Sequence, residues 1–129
     1  MTMETPLKRA RGLGSAKSGA HHWWLERLTS IATLVLLVWL VASLLRMPGL
    51  DHATLSQWLA GPLAAVPMLL LIVAIFWHLK MGLQVVVEDY VHSGGPKLFW
   101  ITAINFLSLF GAALAIFAVL KIAFAGSAA

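Results

Sequence analysis

From Pro62 to Trp77 the chain reads PLAAVPMLLLIVAIFW, and it continues without a break as His78-Leu79-Lys80-Met81-Gly82-Leu83-Gln84-Val85-Val86-Val87-Glu88-Asp89-Tyr90. No Asp, Glu, Lys or Arg occurs between Ala53 and Trp77, and two further runs, Leu28 to Leu45 and Leu98 to Leu120, are equally free of charge. A bilayer core of about 30 Å is crossed by roughly 20 apolar residues in a helix, because in hydrocarbon the backbone must bond to itself. The pattern predicts an all-α membrane protein of three transmembrane helices, with spans at about 28–46, 62–87 and 98–120.

Composition points the same way. With 129 residues, 60% hydrophobic and 11% charged, the chain carries more apolar surface than a soluble domain of this size can bury. It has no cysteine. That excludes disulfides, thiolate metal sites, an iron–sulfur cluster held by this chain, and covalent c-type haem. The net charge of +4 lies mostly beside the first span, which fits membrane topology and not nucleic acid.

Residues 1–19 hold Lys8, Arg9, Arg11 and Lys17 among Gly, Ser and Ala, and are expected to form a basic, flexible or partner-ordered cytoplasmic tail. Residues 20–129 are expected to form one three-helix anchor domain. The basic tail and Arg27 precede the first span, whereas Arg46 is offset by Asp51 after it, so the positive-inside rule sets the N-terminus in the cytoplasm and the C-terminus in the periplasm. The apolar run after the tail has the length of a full span and no small-residue cleavage site, so it is not expected to be a signal peptide. Met47-Pro48-Gly49 breaks the first span, Gly61-Pro62 can start the second, and Gly94-Gly95-Pro96 is expected to end the helix before it.

Chemistry concentrates in the second span. His78 falls close to the middle of the bilayer, and an ionisable group at that depth is a functional candidate. Hydrogen bonding to a neighbouring helix is the plain alternative. Gly82, at i+4 on the same face, leaves room for a flat macrocycle, although close helix packing explains such a glycine equally well. A six-coordinate b-type haem needs two axial ligands, and His21, His22, His52 and His92 all lie outside the expected spans. If His78 binds haem, the second ligand comes from another chain. Lys80 is expected to snorkel toward the headgroups, and Gln84 to bond across helices. Tyr90, the chain's single tyrosine, suits an interfacial anchor, or a phenol donating to a quinone carbonyl with Asp89 beside it.

The spacing His78-x3-Gly82-x6-Asp89-Tyr90, with Gly19-x-His21-x5-Arg27-x-Thr29 upstream, resembles the hydrophobic membrane anchor subunit of succinate dehydrogenase, complex II. The resemblance implies that His78 is an axial iron ligand of haem b, that Arg27 lies near the haem propionates, and that Tyr90 hydrogen-bonds ubiquinone. It implies three partners: a flavoprotein subunit, an iron–sulfur subunit and a cytochrome b-type second anchor. No catalytic residue for succinate chemistry is expected in this chain. The tail resembles those of α-proteobacterial anchors, which implies a multi-pass protein of a bacterial inner membrane. The anchor of a fumarate reductase is the alternative within the family. A small haem-free bundle for transport or assembly, with His78 and Lys80 lining a pathway, is the alternative outside it.

Overall fold

The computed structural model describes residues 5–12 and 18–126, and every regular element among them is helical. They form α1 (Pro6–Ala10), α2 (Gly19–Leu45), α3 (His52–Leu59), α4 (Pro62–Tyr90) and α5 (Gly94–Gly126). The tail assignment falls partly outside the described residues.

Three of these helices are long and apolar enough to cross a membrane: α2, α4, and α5 over Gly94–Ala125. At 1.5 Å per residue, α2, α4 and α5 run about 40, 44 and 50 Å, all longer than the hydrocarbon core. The expected number of three spans is thus borne out, and each helix is longer than the span expected for it. The largest extension at any one end is at the start of α2, at Gly19, so that Arg27 lies about two turns inside the helix and not at its end. Ala20 to Glu26 contain no Pro or Gly to stop the turn.

Two boundaries follow local chemistry. Leu45 ends α2 immediately before Met47-Pro48-Gly49, and Gly61 is the extended N-cap residue of α4 with Pro62 in its opening turn. Inside α4, Pro67 has no N–H to offer the carbonyl of Leu63, which weakens the ladder near the helix start.

One other expectation is corrected. Gly94-Gly95-Pro96 opens α5, since α4 has already ended at Tyr90, and Pro96 sits in the first turn, where its missing N–H costs nothing. The segment between the first two spans is not a bare loop. It folds as α3, whose N-cap Asp51 accepts from the Thr54 N–H at 3.2 Å and from the Thr54 hydroxyl at 2.6 Å. Those two bonds, the hydroxyl's first, hold the exposed Asp51 carboxyl below its ordinary range. Trp58 of α3 stacks on Trp39 of α2, ring centroids 5.6 Å apart, and ties the short helix back to the bundle.

The bundle is arranged around α4, which packs against both α2 and α5, while those two helices do not pack on each other. Small and slender residues line the buried side of α4: Ala64, Ala65, Leu71, Ala74 and Met81. Small side chains allow backbones to approach where lipid offers no hydrophobic drive for helix association. Gly111 of α5 shows how close the approach is, since a Cβ there would lie 2.7 Å from the Phe76 ring. By contrast α2 has no buried residue, and Ile31, Leu34, Val35 and Val38 stand exposed in a row. An apolar surface of that extent belongs against lipid or another membrane chain.

Candidate functional site

His78 lies about 3 Å along the axis beyond the middle residue of α4. Its ring is half-buried and turned toward α2. Nδ1 is 3.2 Å from Thr29 Oγ1 and 3.4 Å from Ser30 Oγ. Phe76, two residues earlier, faces α5 through Gly111, as the rotation of about 100° per residue requires. Both hydroxyls are held by their own helix. Thr29 Oγ1 is 2.8 Å from the Leu25 carbonyl and 3.1 Å from that of Glu26, and Ser30 Oγ donates to the Glu26 carbonyl at 2.8 Å.

One turn beyond His78, Gly82 is exposed, and a Cβ added there would meet nothing within 4 Å. Close packing within this chain therefore does not account for Gly82. It belongs to an exposed stripe of α4 formed by Leu79, Gly82, Leu83, Val86 and Tyr90 at helical spacing. Tyr90 closes both stripe and helix, 80% exposed and about 18 Å along the axis from His78. Asp89 beside it is exposed as well.

Arg27 is exposed on α2, its guanidinium 5.3 Å from the centroid of the Trp23 ring. It precedes Thr29 by two residues, so it lies about 3 Å along α2 from the residue that touches His78. The first and second helices thus bring Arg27 and His78 to neighbouring levels, while Tyr90 stands apart at the helix end.

Among the other polar groups, Gln84 departs from the sequence expectation. Gln84 donates to Glu88 at 2.9 Å within α4 and does not reach across helices. Lys80 is partly buried, its ammonium 5.2 Å from the Trp77 ring, on a cavity of about 480 Å³ between α4 and α5 that Asn105 and Ser108 also line. His21 and His22 fall in the first turn of α2, His52 opens α3, and His92 lies between α4 and α5. No group of three or more His, Cys, Asp or Glu gathers among the described residues.

Thr29 and Ser30 are the neighbours of His78 to which the sequence alone assigns no role. Thr29 stood inside the matched upstream segment, but no feature of the sequence says which residue of the first span meets His78.

Comparison with known proteins is consistent over most of the chain. Residues 1–120 match the family model described as Succinate dehydrogenase/Fumarate reductase transmembrane subunit. The succinate dehydrogenase hydrophobic membrane anchor subunit of Paracoccus denitrificans is 31% identical over 119 residues, covering 92% of this chain and 89% of the relative. The protein of the same name from Rickettsia bellii is 32% identical over 103 residues, covering 80% and 82%. The one from Rickettsia conorii is 38% identical over 86 residues, covering 66% and 68%. No solved structure matches the chain. Bacterial relatives named as membrane anchors, together with three apolar helices, make this a multi-pass inner-membrane protein. A matched model over nearly the full length, and relatives that share both name and extent, lead to one conclusion: the chain belongs to the succinate dehydrogenase/fumarate reductase transmembrane subunit family, as a succinate dehydrogenase hydrophobic membrane anchor subunit.

Proposed function

We propose that this anchor holds one side of a haem b through His78, binds ubiquinone through Tyr90, and docks a flavoprotein and an iron–sulfur subunit on the cytoplasmic face. The observation that carries the reading is the make-up of α4 in a chain of this family. A half-buried imidazole sits beside an open glycine near the helix middle, and an exposed phenol ends the same helix.

The residues present fit a haem. His78 would hold the iron from this chain, and a histidine of a cytochrome b-type second anchor would hold it from the other side of the assembly. Open space at Gly82 leaves the backbone approachable by a flat group. Arg27, whose guanidinium presents a planar fork of donors, would pair with a propionate. When bound, haem b supplies a one-electron redox centre within the membrane.

Reduction of a quinone to a quinol takes two electrons and two protons, and electrons from succinate reach the quinone by way of the iron–sulfur partner. Tyr90 donates a hydrogen bond to one quinone carbonyl, which stabilises the negative charge that builds on that oxygen. Asp89, exposed at the same helix end, is the neighbouring carboxylate able to pass protons. The orientation that suits this chemistry places residues 1–19 as the cytoplasmic tail, the 20–129 anchor domain in the bilayer, and the C-terminus in the periplasm.

The test is a reduced-minus-oxidised spectrum with pyridine haemochrome content, measured on the intact complex with and without His78→Ala. The variant should insert normally, because Ala is tolerated in a membrane helix, and should lose most or all of its haem. A low-spin haem at wild-type content in His78→Ala would remove His78 as the ligand.

A further inference from the structure

The hydrogen-bond contacts of the His78 ring both run through Nδ1, and both reach hydroxyls of α2. An imidazole in that position is either an acceptor from a hydroxyl proton or a donor to a hydroxyl lone pair, and the two cases leave opposite chemistry at the far nitrogen.

Counting protons decides between them. A threonine or serine hydroxyl has one proton and two lone pairs. The Thr29 hydroxyl lies 2.8 Å from the Leu25 carbonyl and 3.1 Å from the Glu26 carbonyl, both shorter than its 3.2 Å contact with His78. The Ser30 hydroxyl lies 2.8 Å from the Glu26 carbonyl and 3.4 Å from His78. O–H···O bonds are best near 2.7–2.8 Å, so each hydroxyl proton sits toward its own helix. Lone pairs then face the ring from both oxygens, and the proton that fills these contacts is the ring's own. The contacts suit a ring protonated at Nδ1, with Thr29 at the shorter distance and Ser30 at the longer.

We propose that Thr29, assisted by Ser30, is a positioning residue for the haem ligand: it fixes His78 as the Nδ1–H tautomer and leaves Nε2 bare to bond iron. This rests on the haem reading given above. Back-bonding to the carbonyls of the preceding turn restrains the Thr29 side chain, so the acceptor is in place before any metal arrives. A metal-bound imidazole that donates its second N–H is held in one orientation and made a stronger donor to the metal. A stronger donor stabilises ferric over ferrous iron, so loss of the acceptor should raise the midpoint potential of the haem.

The experiment uses the intact complex carrying Thr29→Val, Thr29→Ser and Thr29→Val with Ser30→Ala. A redox titration, the low-temperature electron paramagnetic resonance spectrum of the oxidised haem and the haem content are read on each. Thr29→Val should raise the potential, shift the spectrum, and weaken haem retention by roughly 10- to 100-fold, with the double variant changed further. Thr29→Ser, which keeps the hydroxyl, should match wild type. Wild-type potential and spectrum in the double variant would overturn the proposal, and so would equal changes in Thr29→Ser and Thr29→Val, which mark a packing role. If Thr29→Val does not assemble, Thr29→Cys, similar in size and a weak acceptor, is read by the same rule. Full haem content in His78→Ala is a separate result: it breaks the haem reading whatever Thr29 does.

Discussion

The two faces of α4 are built on opposite plans. Toward α5 the contact is made by shape: Gly111 admits the Phe76 ring, and a single Cβ would collide with it. Toward α2 it includes polar groups: His78 meets Thr29 and Ser30, and the surface next to them stays open around Gly82. The seam toward α5 is close-packed at Gly111 and opens into a cavity that Lys80, Asn105 and Ser108 help to line, whereas the seam toward α2 carries the contacts of His78. Rigidity supplied on one side lets the other side keep an exposed, reactive edge.

If the division holds, substitutions on the two faces should fail in different ways. The largest effect is expected from His78→Ala, which should abolish most haem binding while leaving the α4–α5 seam intact. Normal insertion together with loss of the haem spectrum is the pattern to look for. Next comes Tyr90→Phe, at the far end of the exposed stripe. Losing one hydrogen bond of about 1–3 kcal/mol should slow succinate–quinone turnover roughly 5- to 150-fold at low quinone. Haem content and succinate oxidation by an artificial acceptor should stay normal. Wild-type quinone kinetics would leave Tyr90 as a membrane anchor only.

Gly111→Leu probes the opposite face, where overpacking against Phe76 should lower stability by about 1–3 kcal/mol. It should appear as a lower midpoint of thermal disassembly, with no direct change at the quinone end of α4. A stability equal to wild type would mean that the two seams are not different in kind. The smallest effect belongs to Asp51→Ala, which removes the cap of α3. Faster amide exchange confined to His52–Leu59 is the expected signature. The same cap weakens with acid: its carboxyl titrates below the ordinary range when folded, so its contribution is present above the unfolded value and fades as pH falls through the lowered one.

Much of the architecture is legible in the sequence because the bilayer imposes a coarse demand, and three charge-free runs meet it. Helix ends at Leu45 and Pro62 follow from proline and glycine chemistry that acts locally. The short helix α3 escaped notice, although Asp51 followed three residues later by Thr54 is a start signal of the capping kind. Gly94-Gly95-Pro96 was open to two uses, as a stop for one helix or a start for the next, and local sequence does not choose between them. His78, Gly82 and Tyr90 stood out through composition: rare residue types in an apolar helix. Thr29 could not stand out in that way. When a helix is apolar all round, no periodicity says which stripe meets its neighbour, so the pairing of residues 29 and 78 is information carried by packing alone.

That α2 and α5 both depend on α4, and not on each other, bears on the order of synthesis. The chain emerges N-terminus first, so the first two membrane helices exist as a pair before the third has been made. That pair holds every group of the contact between His78, Thr29 and Ser30. An imidazole entering hydrocarbon therefore has its hydrogen-bond partners within reach before α5 is made.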